Sequence, residues 1–508
     1  MLIVFLIIIS YVLVILNFGA PVLVSNTPDM VLLLEHTGVL ASCFMIIDRV
    51  LKGCESKHRY NICFLVSYCI SLLIMKVTWG PQLVSEFTTG WGAFDPIKYY
   101  SMAASAINQG VLDENFFWFP VAFIYYGIMR IFGLNPLVPL FFNEIVFVYA
   151  VVILARYVNG KNTKYVKYYS LLLLIPELMY YNVTSSKDII CLFSATVIFV
   201  KASEFIRDGL SLKRLLILLG FFLIFVLARA SLSFASVFGI ILINVLSKKL
   251  SKRSIALMAA SGVFIVAAFT FSSRLGGNAD AEGTTSYVSK VSSGNMSVAA
   301  EMEGVNPNGF SQKLIPHNSV QFVVYGFIRS ICYVIIDGRF VTQPFNILGF
   351  NSVYSLVDWT SLIMFIYCFY ILKWLRRTKI GKRETYEVRA TLIMLVLYWY
   401  IVGAFNPLMI HVRYRLVYDL LFFAIAIRAY LSCSKNPSSI LPSAFVVPSI
   451  PLDAIARPVI VQTIIVSINV PHIFINPCFT WWSDVALAAE IAALPSPASF
   501  ENTPLAIP

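Results

Sequence analysis

Charge is what this 508-residue chain lacks: 13% of it is Asp, Glu, Lys or Arg, about half the share of a soluble domain. That deficit excludes an ordinary cytosolic enzyme. The five histidines are scattered at 36, 58, 317, 411 and 472, so no histidine-built metal site is visible. None of the nine cysteines forms a C-x-x-C pair, and most sit inside apolar runs, where cysteine acts as a small core residue. The short alternating segments of a transmembrane β-barrel are also absent. What remains is apolar. The chain is 59% hydrophobic with a mean hydropathy of +0.80, and its apolar runs of about 17–25 residues match the length that crosses a bilayer as helix. The expected fold is all-α: a polytopic transmembrane helical bundle of about 11–13 spans with two large extracytoplasmic loops.

The net charge of +12 is better explained by helix orientation than by nucleic acid, and no nucleic-acid partner is expected. Lys and Arg collect in cytoplasmic loops. Most of the 38 basic residues lie in five connections: Arg49 to Arg59, Arg156 to Lys167, Lys201 to Arg214, Lys248 to Arg253, and Lys373 to Arg389. If these share one side, residues 116–133 cannot cross and instead read as an aromatic-rich interfacial helix. Residues 80–135 then form the first large outer loop. A Ser/Gly/Asn-rich stretch, 273–317, forms the second. Residues 318–357 fit either two crossings or two interfacial helices. The runs 213–228 and 231–247 read as separate segments, with Arg229 at an outer turn between them. Residues 1–435 thus make one transmembrane domain. The tail 436–508 holds eleven of the 23 prolines and no lysine; it reads as poorly ordered or as a foreign extension of the reading frame.

Four separated stretches deliver charge to the outer face under this reading. The first loop supplies Asp95 and Lys98, then Asp113 and Glu114. The stretch Ser185-Ser186-Lys187-Asp188 supplies a cation and an acid. Arg229 and the trio His411, Arg413 and Arg415 complete the set. Charges at membrane depth usually face a cavity. Lys187, Arg229, Arg413 and Arg415 would hold donor phosphate oxygens. Asp95, with Asp188 as second candidate, would take the proton of an acceptor hydroxyl. Tyr99, Tyr100 and Trp118 would stack on sugar or anchor the loop. Plainer roles stand beside these. Asp95 could cap a helix starting at Pro96, Ser185 to Asp188 could cap the next helix, and Lys98 could reach the headgroups.

The order of elements resembles the type C membrane glycosyltransferases, a group that includes protein O-mannosyltransferases and the lipid A aminoarabinose transferase. The pieces are Asp95 with Tyr99-Tyr100, then Phe119-Pro120, Gly133-Leu134-Asn135-Pro136, Arg156-Tyr157, and a P-x(11)-D pattern from Pro176 to Asp188. Arg413-Tyr414-Arg415 before an apolar helix is similar to O-antigen and exopolysaccharide polymerases. The likeness covers roughly residues 60–205 and 400–432. It implies a polyprenyl-phosphate-linked glycan donor, a glycan acceptor, and action on the periplasmic face of a bacterial inner membrane, alongside other polysaccharide-assembly membrane proteins. Type C enzymes often pair acids where Asp95 is followed by Pro96. No cofactor is therefore expected, and nothing in the sequence supports a divalent cation. The rival is a transporter or flippase of lipid-linked sugars, pointing to Glu35, Glu144, Glu177 and Asp419; the last two lie near enough to helix ends to be expected to escape full burial.

Overall fold

The computed structural model describes residues 1–18, 29–54, 56–89, 95–110, 120–135, 137–159, 163–184, 186–208, 212–246, 319–331, 355–377, 383–405 and 411–433. The chain partitions into Met1–Ile450 and Pro451–Pro508, and every described residue belongs to the first unit. Asp113, Glu114, Trp118, Ser185, the second outer region and the tail beyond 436 lie outside the described residues. Asp95, Lys98, Arg229, His411 and Arg413 are placed by their backbone alone.

Among the described residues the secondary structure is almost entirely helical, without a strand. The helices are α1 (Leu2–Phe18), α2 (Asp29–Val50), α3 (Lys57–Thr89), α4 (Asp95–Gln109), α5 (Pro120–Phe132) and α6 (Leu137–Asn159). A 3-10 helix, Thr163–Leu174, follows. Then come α7 (Pro176–Thr184), α8 (Ser186–Asp208), α9 (Leu212–Leu246), α10 (Ser319–Arg329), α11 (Ser355–Arg377), α12 (Arg383–Phe405) and α13 (His411–Cys433). Three stretches, Met30–Val50, Lys57–Lys76 and Leu137–Val158, are long and apolar enough to cross a membrane. Large apolar side chains also stand exposed along α1 and α2, among them Val4, Phe5, Ile8, Val12, Leu34 and Met45. An exposed apolar band of this kind suits hydrocarbon, not water.

Local chemistry explains several boundaries. Residues 120–132 form a helix of about 20 Å, too short for a hydrocarbon core of about 30 Å. It ends where Gly133 takes φ 98°, a left-handed conformation that costs glycine little, and the Gly133 N–H donates to Met129 O at 2.8 Å. Asn135 Oδ1 then accepts the Leu137 N–H at 2.8 Å. With Pro136 next in sequence, this is the side-chain cap and proline pairing that opens a helix. The apolar faces of α4 and α5 close on each other around Tyr99, Tyr100, Ala103, Tyr125 and Met129.

Two features depart from the sequence-based expectations. Residues 212–246 form one helix, so Arg229 lies in its interior and not at a turn. At 1.5 Å per residue α9 is about 52 Å long. The cluster at Lys213 and Arg214 opens it, while the cluster beginning at Lys248 follows its other end in sequence. The expected hairpin with Arg229 at its turn is therefore not formed. The apolar run 168–184, which reads in the sequence as one segment, is also not one helix. It breaks at Ile175, because Pro176 lacks an N–H and its ring disfavours the α conformation at the residue before it.

Candidate functional site

The break at Pro176 creates a charged site. A helix start leaves backbone N–H groups without intrahelical partners. Here the Glu177 N–H donates to Thr360 Oγ1 of α11 at 2.9 Å. The Glu177 side chain meets Arg415 of α13, whose Nη2 donates to Glu177 Oε2. Arg415 Nε donates to Asp419 Oδ2 at 2.9 Å, one helical turn along the same face. Its Nη1 donates to Ser361 Oγ at 3.2 Å. Arg415, Glu177 and Asp419 are all fully buried. Glu177 and Asp419 therefore do not escape burial near their helix ends. Arg415 has each guanidinium nitrogen engaged by the protein, so it is a buried tie between α7, α11 and α13 and not a free hand for donor phosphate.

Other candidates gather at the start of α8. Lys187 is half-buried and Asp188, in the first turn, is fully buried. Helix α4, opened by Asp95 and Pro96, packs against both α7 and α8. Ile190 of α8 joins the apolar cluster that holds Tyr99 and Tyr100. Both tyrosines are buried, and burial pushes the Tyr100 phenol up to about 12, so it stays protonated. Asp95 is the first residue of α4. Helices α8 and α9 are joined by residues 209–211 and pack along their length as an antiparallel pair. Phe221 of α9 packs edge-on against Phe193 of α8, and Arg229 lies about two helical turns further along α9. It therefore stands beside the start of α8 although no turn brings it there. Arg413 lies in the first turn of α13, which also packs on α8.

A second polar group occupies the interior between α1, α2, α3, α6 and α7. Glu144 of α6 is fully buried. Its Oε1 accepts from Asn182 Nδ2 at 2.7 Å, and Asn143 Nδ2 donates to Asn182 O at 2.8 Å. Nearby, His36 Nδ1 and Tyr68 OH are 2.8 Å apart, and Ser10 Oγ lies 3.1 Å from His36 Nε2. Sequence reading singled out Glu144 but missed His36 and Asn182; both sit in apolar runs that hide their partners. It also missed Arg329, a fully buried arginine at the end of α10. Among the described residues no group of His, Cys, Asp and Glu could hold a metal ion. Comparison with known proteins found no matching family model, curated relative or solved structure.

Proposed function

We propose that this protein is a multi-pass membrane enzyme of the bacterial inner membrane that transfers or polymerises glycan units. Its donor is an undecaprenyl phosphate- or pyrophosphate-linked glycan on the periplasmic face, and its product a surface polysaccharide. The observation that supports the reading most is the packing of α4, which carries Asp95 at its first position, against the start of α8, which carries Lys187 and Asp188. Helix starts present partial positive charge and free N–H groups, a setting that favours a phosphate. Lys187, Arg413 and Arg229 stand at or level with these ends, while Arg415 serves the scaffold. An acceptor hydroxyl oxygen would bond to the anomeric carbon as the bond to the donor phosphate breaks. Asp95 takes the hydroxyl proton, and the phosphate leaves with the negative charge. The test is elongation of a purified lipid-linked repeat by reconstituted protein. Asp95→Asn is expected to abolish chain growth while the protein stays inserted; full activity of that variant removes the assignment.

One observation favours a second reading, a transporter or flippase of lipid-linked sugars. A helix broken within the bundle, with an ion-paired carboxylate at the break, is the kind of irregularity that transporters use to bind substrates. Elongation without any partner protein supports the enzyme. Movement of the lipid-linked repeat across the bilayer, with no elongation, supports the transporter.

A further inference from the structure

We propose that Glu144 is a proton site: a carboxyl inside the membrane-spanning part of the bundle that takes up and releases one proton. The inference is independent of whether the protein transfers or transports glycan. Glu144 lies in Leu137–Val158, a stretch able to cross a membrane, and is fully buried. A carboxylate removed from water without a counter-charge is costly. Among the described residues it has no ion-pair partner, in contrast to Glu177 and Asp419. Its neighbours are neutral. Asn182 donates to Oε1, and Ser71 of α3 lies beside the same carboxyl without a hydrogen bond to it. Oε2 has no hydrogen-bond partner and is sealed from solvent, which leaves one oxygen free to carry a proton.

The titratable groups facing Glu144 are Cys43 of α2 and Tyr68 and Cys69 of α3; none of them bears positive charge. Among the described residues, α5, α8, α13 and the 3-10 helix direct no charge at it. Tyr68 and His36 pack on the ring of Phe141, one turn before Glu144 on α6. Ser10, His36 and Tyr68 therefore continue a line of exchangeable groups from this side of the carboxyl. A proton suits the site better than a metal ion. There is one carboxylate, and Asn182 turns an N–H donor, not an oxygen, toward it.

The test uses the full chain reconstituted in liposomes and a hydrophobic carbodiimide, dicyclohexylcarbodiimide. The reagent takes the proton of a neutral carboxylic acid and bonds to its oxygen, giving an O-acylisourea, so only the protonated form reacts. Peptide mass spectrometry is expected to find the adduct on Glu144, falling about tenfold per pH unit above its midpoint. Protection by sodium at constant pH would reassign the site to a metal cation and overturn the proposal. Infrared difference spectra decide the matter if the reagent cannot reach the site. The carbonyl stretch of a protonated carboxyl is expected in the native protein and lost in Glu144→Gln, and identical spectra overturn the proposal.

Discussion

Two buried acid sites in this protein solve the same problem in opposite ways. Glu177 and Asp419 share one arginine, itself buried, and the three tie α7 to α13. Glu144 is as deeply buried, yet meets an amide, a hydroxyl and a phenol. In the first site charge is kept and matched, which demands exact geometry because each ion loses its hydration. In the second, charge is removed by a proton, and only neutral hydrogen bonds need satisfying. A matched triad behaves as a scaffold, whereas an unmatched carboxyl can change state. The partners of each carboxyl thus set a structural element apart from a working one.

The largest effect that would sharpen the contrast is expected at Arg415. Arg415→Met leaves two carboxylates buried without a cation, and removing one partner of a buried ion pair costs about 3–5 kcal/mol. The variant should lose most of its folded population, read as thermal unfolding in detergent. The triple variant Arg415→Met, Glu177→Gln, Asp419→Leu should recover much of that loss, because no charge is stranded. Equal instability of single and triple variants would mean that shape, not charge, holds the site together.

A junction without any charge supplies the middle of the scale. Asn135→Ala removes the acceptor for the Leu137 N–H at the start of α6, a loss of about 1 kcal/mol for a helix cap. It lies nine residues from Glu144 along the chain. A drop in melting temperature well below that of Arg415→Met is expected, with the pH dependence of Glu144 labelling unchanged. A shifted midpoint would show that the two acid sites are not the independent units their partners suggest.

How much of this could be read from the chain depended on how near the partners are in sequence. The end of α5 and the start of α6 were legible, since Gly133 and Asn135-Pro136 act within a few residues. The reading of 116–133 as interfacial rested instead on the basic clusters sharing one side, and the structure gives a short helix there, Pro120–Phe132. The Arg415–Asp419 pair is a helical i, i+4 spacing and was in plain view. Glu177 was not: Pro176 marks the break locally, but the arginine that meets the carboxylate there lies 238 positions away. Arg229 misled for a different reason. Two apolar runs separated by one charged residue read as a hairpin, but Ala-Arg-Ala-Ser offers no glycine or proline to turn the chain. The helix continues, and packing along α8 supports it.

Glu144→Gln should have the smallest effect on stability, and that smallness is the sharpest test of the contrast. A glutamine matches a protonated glutamic acid in shape, and its carbonyl oxygen can still accept from Asn182 Nδ2. If Glu144 is neutral in the folded protein, the substitution exchanges one uncharged hydrogen-bonding group for another and should shift stability by less than about 1 kcal/mol. If the carboxylate were instead charged and satisfied by its surroundings, removing the charge would weaken charge-assisted bonds, each roughly twice as strong as a neutral one, and the loss would approach that of the triad. Thermal unfolding of Glu144→Gln beside Glu177→Gln, at one pH and in one detergent, makes the comparison direct: the first is expected to melt near the native protein, the second well below it, although both exchange a fully buried glutamate for the same amide.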